Sequence, residues 1–295
     1  MSNQKLIINL NDDFSENVYY ISKDFPIYIA KSELSSYPDY GTLNHWHTDI
    51  EFIAVLSGHM KYNINGEVIT LHPNEAVFVN SRQMHFGFSD NYHDCTFICI
   101  VMHPVLLCSS RSIEEKFIKP VISEESAPYC VFHRDVDWEN ELIDNICDIY
   151  NYHMQDIAEL KIQSLLFEIW MKLFKHIKKQ GQNTKPHSAH HLHVLKNMLA
   201  FIQENYARKI TLENIAQAGF VGKTTCCNIF KKYTTKTPLD YLNRYRIEKS
   251  LPLLKDTNMS ITQICFEVGF SGVSYFSETF KKHMHMTPNK YRKAN

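Results

Sequence analysis

Hydrophobic and polar positions along this chain change rhythm twice, and each change marks a different kind of element. Between Tyr19 and about Met102, short β-rich runs alternate with turn signals. Residues 50–56 end at Ser57-Gly58, and Met60–Ile64 meets Asn65-Gly66. Glu67–Leu71, Ala76–Val79 and residues 96–101 follow, with His72-Pro73-Asn74 as a turn. Asn-Gly is a strong hairpin signal because both positions tolerate φ > 0. Many short strands at this spacing predict a barrel or a double-sheet jelly roll.

Across residues 137–179 the apolar period lengthens to that of a helix. Leu142, Ile143, Ile146, Ile149 and Tyr150 mark one stripe; Leu160, Leu165, Leu166, Ile169, Leu173 and Ile177 mark a second. Two helices must bury these stripes, either on the outside of the barrel or, for the long second helix, in a homodimer. Residues 178–188 are polar and carry Gly181 and Pro186, which predicts a linker. His187, His190, His191 and His193 lie close behind and read as solvated or core residues.

The last third contains a repeat. Leu212-Glu213-Asn214-Ile215-Ala216, Gly219-Phe220, Phe230-Lys231-Lys232, Thr237-Pro238 and Tyr241 return as Ile261-Thr262-Gln263-Ile264-Cys265, Gly269-Phe270, Phe280-Lys281-Lys282, Thr287-Pro288 and Tyr291. From the glycine onward each match is offset by 50 positions. A fixed period means one supersecondary unit used twice. Each unit reads as a short amphipathic helix, a glycine turn and a second helix ending in Phe-Lys-Lys. That is a helix-turn-helix, whose second helix enters the DNA major groove. In the first such helix Cys226, Ile229, Phe230 and Tyr233 share the inward face, leaving Thr224, Thr225, Cys227 and Asn228 outward. In the second, Phe276 and Phe280 face in, and Val273, Ser274, Tyr275, Ser277 and Glu278 face out. Gly222-Lys223-Thr224 suggests a phosphate loop, but that motif needs a glycine where Gln217 stands, and no buried strand precedes it.

Charge strengthens the DNA reading. From His190 onward there are 16 Lys and Arg against 7 Asp and Glu, which leaves 15 against 25 for residues 1–189. A basic half joined to an acidic one points to a polyanion partner for the basic half. The 295 residues suffice for two ordinary domains. The eight cysteines are scattered without paired CxxC spacing, as expected of free thiols in a reducing cytosol. No signal peptide and no run of 18 apolar residues is present, so the expectation is a cytoplasmic protein with no membrane partner.

One cluster in the barrel region carries candidate chemistry. His45-Trp46-His47, then Glu51, Gly58 and later His85 resemble the first cupin motif, HxH-x3-E-x6-G, and the histidine of the second. Gly41 close to His45 and Glu75 at a place where glycine is preferred depart from that pattern. In metal-binding cupins these residue types converge on one ion, and imidazole with carboxylate suits Mn, Fe, Ni or Zn. The other reading of His45, His47, Glu51 and His85 is an effector pocket that needs no cofactor. No catalytic residue is assigned.

The last hundred residues resemble the DNA-binding domain of AraC/XylS-family transcription regulators. The resemblance rests on Gly219-Phe220, Phe230-Lys231-Lys232, Thr237-Pro238, Tyr241, Arg246, Ile261, Gly269-Phe270-Ser271, Tyr275-Phe276, Phe280-Lys281-Lys282 and Thr287-Pro288 with Tyr291-Arg292. The cupin-like half fits the same family. The implied fold is multi-domain: an all-β cupin-like barrel (1–135), a helical dimerisation segment (136–180), a linker (181–191) and an all-α DNA-binding domain (192–295). Its two helix-turn-helix motifs fall at about 211–233 and 260–283 and are joined by a long helix. The implied function is a sequence-specific DNA-binding regulator with a small-molecule sensor, such as a sugar or metabolite sensor. Its partners are double-stranded promoter DNA, RNA polymerase and a second copy of the chain. Lys223 and the outward residues named above would meet base edges, with Asn228 suited to adenine and Glu278 to cytosine. Lys231, Lys232, Lys281, Lys282 and Arg292 would meet phosphates. Pro252 in the joining helix predicts a kink. Alternatives are a cupin metalloprotein, sensor or enzyme, fused to a DNA reader, and a regulator with no effector.

Overall fold

Alternation along one strand organises the barrel. In β2 (Ile50–Gly58) the side chains of Ile50, Phe52 and Ala54 enter one apolar cluster, while Ile53 and Val55 enter another on the opposite face. Glu51 shares the second face and therefore points into the barrel. Around it, in a computed structural model describing residues 6, 8–11, 15–123, 126–180 and 189–294, two antiparallel sheets form. The first holds β1 (Ile27–Glu33), β2, β5 (Ala76–Val79), β7 (Cys95–Met102) and β8 (Tyr129–Phe132) in the order β1-β7-β2-β5-β8. The second holds β3 (Met60–Ile64), β4 (Glu67–Leu71) and β6 (His85–Phe88) in the order β4-β3-β6. The Asn65-Gly66 turn has φ of 51° and 83°, the left-handed geometry the hairpin needs.

The outer face of the five-stranded sheet is covered by helices. α1 (Arg111–Ile113) and α2 (Lys119–Ile122) flank a π turn in a helical stretch the sequence did not announce. α3 (Asp137–Tyr152) and α4 (Ala158–Gln180) pack their stripes on Ile50, Phe52, Phe78 and Ile100. Leu160 is a correction: it is 76% exposed, outside the buried stripe of Ile162, Leu165, Leu166, Ile169 and Leu173. Most of the expected linker, with His187, lies outside the described residues.

The reader domain begins with α5 (Ala189–Asn205). α6 (Leu212–Ala218) and α7 (Lys223–Thr234) form the first unit, α9 (Ile261–Glu267) and α10 (Val273–Met284) the second. α8 (Pro238–Asp256) joins them and α11 (Pro288–Ala294) closes the chain. Thr211 and Ser260 each cap a first helix with a reciprocal capping box, through Asn214 and Gln263. Cys226, Ile229, Phe230 and Tyr233 are buried in one core; Phe276 and Phe280 are buried in the other. α8 continues through Pro252, which lies on its exposed side. Leu43 and Met84 of the barrel belong to the same buried cluster as α5, α6 and α7, so the reader is docked on the barrel.

Candidate functional site

Three histidines and Glu51 converge inside the barrel because three segments aim them there: residues 45–47, β2 and β6. His45 and His85 face each other as an antiparallel bridge, with reciprocal backbone hydrogen bonds of 3.1 and 2.8 Å. His47 lies two residues further on, and Glu51 comes up from β2. All four side chains are buried, and one ligand atom from each lies within 4.8 Å of the others. Each imidazole is pinned at its outer nitrogen. His45 Nδ1 donates to Leu43 O (2.8 Å), His47 Nδ1 to Asp49 O (3.1 Å) and His85 Nδ1 to Gln83 O (2.8 Å). A carbonyl only accepts, so in the neutral ring every Nε2 presents its lone pair inward. Glu51 Oε2 stands 3.4 Å from His47 Nε2 and 3.3 Å from His85 Nε2, while Oε1 accepts from the Tyr62 hydroxyl.

Lone pairs facing a carboxylate repel unless something electropositive lies between them: a proton on each ring, or one cation. Two ligands each about 2.1 Å from a shared ion sit roughly 3.0–3.5 Å apart. This set therefore fits a divalent metal. Burial pushes the His45 pKa well down, with His85 acting the same way. Burial works most strongly against a charged His47, but the carboxylates of Glu51, Glu16 and Asp49 together outweigh it and the net direction is up. Glu51 itself is raised by burial, yet the facing His85 and His47 bring it well below the usual carboxylate range. Glu16, from the N-terminal arm, stands 3.7 Å from His45 Nε2, and burial pushes its carboxyl up to about 7. Above the cluster is a cavity of about 130 Å³ lined by Glu16, Tyr28, Tyr37, Tyr62, His45 and Glu51 among others. That is small beside the roughly 300 Å³ of an ordinary ligand pocket.

The second surface is on the reader. Lys223, Thr224, Thr225 and Asn228 of α7 are exposed, as are Ser274, Tyr275 and Glu278 of α10. Both recognition helices start from glycine N-caps, Gly222 and Gly272, whose missing Cβ would meet nothing within 4 Å. Each leaves bare backbone N–H groups at the end that meets DNA in a helix-turn-helix.

Comparison with known proteins agrees with both surfaces. A helix-turn-helix domain profile matches residues 215–294, and a cupin domain profile matches residues 37–101. The HTH-type transcriptional regulator YdeC of Bacillus subtilis (strain 168) is 33% identical over 257 residues, covering 85% of this chain and 86% of YdeC. This chain belongs to the AraC/XylS family of transcription regulators. The melibiose operon regulatory protein of Escherichia coli (strain K12) is 24% identical over 294 residues, covering 90% of this chain and 92% of that protein. Among solved structures, ToxT from Vibrio cholerae O395 aligns with 92% of this chain and 98% of its own length, at 14% identity and a TM-score of 0.44.

As a member of this family, the chain binds DNA and regulates transcription. Several side chains expected to face DNA have other partners. The Arg292 guanidinium donates to Leu254 O (3.2 Å) and Met259 O (2.6 Å), tying off the end of α8. Val273 is half-buried against the core of the second unit. Cys227 and Ser277 are also half-buried. Lys223 pairs with Glu213, and the Tyr275 hydroxyl accepts from Asn243 Nδ2 at 2.7 Å. Lys231 Nζ donates to Thr235 O at 3.3 Å, whereas Lys281 and Lys282 are exposed. Lys232 lies along the seam with the barrel, its stem against Gly66 and its backbone carbonyl accepting from Asn63 Nδ2. Sequence reasoning missed Glu16 and Tyr62 in the cluster, and Asp39, Arg244 and His283 at the seam.

Proposed function

We propose that the barrel is a metal-dependent sensor, and that a divalent transition metal held by His45, His47, Glu51 and His85 sets the DNA-binding state of the reader. The observation that carries this reading is the pinning of all three Nδ1 atoms to backbone carbonyls, which leaves three Nε2 atoms free to meet in one buried cluster with Glu51. Such outer hydrogen bonds orient metal-ligating imidazoles and fix their tautomer. The ion would supply the positive charge this set lacks and would polarise a small effector seated in the cavity beside Tyr28, Tyr37 and Glu16. Catalysis is no part of this reading, and the cell compartment is the cytoplasm. Promoter DNA and RNA polymerase are the partners, together with a second copy of the chain. The dimer forms through α4, where Leu160 and Met171 are exposed.

Metal content of the untagged full chain, purified without chelator, tests this directly. The expected result is close to one Mn, Fe, Ni or Zn per chain, lost in His47→Ala. A folded wild-type protein that carries no metal and takes up none on incubation with these ions would leave the barrel as a metal-free effector pocket.

A further inference from the structure

We propose that Asp39, a barrel residue, is a positioning residue for DNA reading that holds the two helix-turn-helix units in one mutual geometry. Three separate parts of the reader converge on residues 38–41. Lys236, in the turn after α7, places its Nζ 2.7 Å from Asp39 Oδ2. His283 of α10 places Nδ1 3.5 Å from the same oxygen. Between them, Arg244 of α8 donates to Gly41 O at 2.6 Å and reaches Pro38 O at 3.4 Å, flanking Asp39 on both sides. The carboxylate therefore joins the first unit to the second, and the segment that carries it grips the helix between them.

Charge explains why the junction needs it. Lys236 and Arg244 meet here with Lys282 nearby, and cations brought together in a partly buried seam repel. Glu248 answers Arg244 from within the reader, at 3.2 Å. For Lys236 the counter-charge comes from the barrel, and His283, whose pKa burial pushes down, faces the same carboxylate. The geometry is also held at a conformational cost. Asp39 and Tyr40 are consecutive non-glycine residues in the left-handed region, with φ of 55° and 50°. The Tyr40 ring, with Tyr92, in turn brackets His285 at the end of α10, at 5.8 and 5.2 Å. Tyr92 also reaches Asp39 Oδ1 from the barrel side, at 3.4 Å.

Two recognition helices read two major-groove segments about 10 bp apart, so their mutual angle and distance decide which spacing is accepted. Without Asp39 that geometry depends on α8 and on the remaining seam contacts, Arg244 with Gly41 O and the Tyr40 and Tyr92 rings with His285. The experiment is to select the site of the full chain from random DNA. Affinity is then measured for that site and for versions with one base pair inserted or removed between its two halves. Wild type is expected to discriminate sharply. Asp39→Asn keeps a residue tolerant of the left-handed conformation. It is expected to lower the discrimination ratio at least about fivefold, and Lys236→Gln is expected to do the same. A merely structural role would weaken all sites together and leave the ratio unchanged. An unchanged ratio in folded Asp39→Asn, or in Lys236→Gln should the first variant not fold, would overturn the proposal.

Discussion

Gly269 and Phe220 occupy the same place in the two reader units, and the chain resolves that place differently. The capped first helices start 49 residues apart, at Leu212 and Ile261, whereas the recognition helices start 50 apart, at Lys223 and Val273. The second turn is thus one residue longer. At the common offset of 49, Gly269 has φ +87° and Phe220 has φ +54°. A Cβ on Gly269 would come 2.3 Å from Tyr206 O, while the Phe220 side chain is 92% exposed and meets no such wall. Gly269→Ala should therefore lose at least about 2 kcal/mol of stability in a urea titration. Gly222→Ala, with φ −74° and open space, should lose less than about 1 kcal/mol. Equal midpoints for the two variants would contradict this account of the turn. The candidate metal residues were legible at this scale because His45, His47 and Glu51 lie close together in sequence. Glu16 was not, because it reaches the cluster from an arm about thirty residues upstream and no local pattern marks it.

Among the elements, the strands bounded by Gly58, Asn65-Gly66 and His72-Pro73 were readable from local turn chemistry. β1, β6 and β8 were not, because their definition comes from partners far along the chain: Ile27 pairs with Met102, and Val79 with Tyr129. Both amphipathic helices behind the barrel were readable by period, although Leu160 shows that one turn of the pattern can point outward. Two arginines of the basic half have partners inside the chain. Arg246 donates to Tyr206 O and Arg208 O, and Arg292 to Leu254 O and Met259 O, so both arginines tie off helix ends inside the reader. A basic residue aimed at phosphate and one aimed at a carbonyl look the same in a sequence. Arg292→Gln should cost about 1–3 kcal/mol of stability and leave the salt dependence of DNA binding unchanged. Lys281→Ala should leave stability unchanged and reduce the logarithmic salt slope by about 1. The reverse pattern in urea titrations and salt series would return Arg292 to the DNA.

At the scale of the whole molecule, the candidate metal cluster and the reader share structure. Leu43, whose carbonyl pins His45, and Met84, next to His85, sit in the core of the first reader unit. Trp46, between His45 and His47, packs against the same core and lies under Lys196 of α5, with Nζ 4.3 Å from the ring centroid. Asn11 of the N-terminal arm accepts from Gln203 of α5 at 3.1 Å. Leu34, Tyr37 and Thr42, on either side of Asp39, line the cavity above the cluster. Ordering the ligand residues would thus press on the seam that holds the reader. The two halves were legible as acidic and basic domains; their docking was not, because it rests on single residues such as Leu43 and Asp39 that have no repeating pattern. The most direct measurement is the affinity of the full chain for its selected DNA site at fixed salt, after chelation and after reloading with Mn, Fe, Ni or Zn. A difference of about tenfold, abolished in Glu51→Gln, is the predicted result, within the usual range of coupling between two sites. Equal affinity in the two states, with metal verified as bound in one, would contradict a metal-dependent sensor.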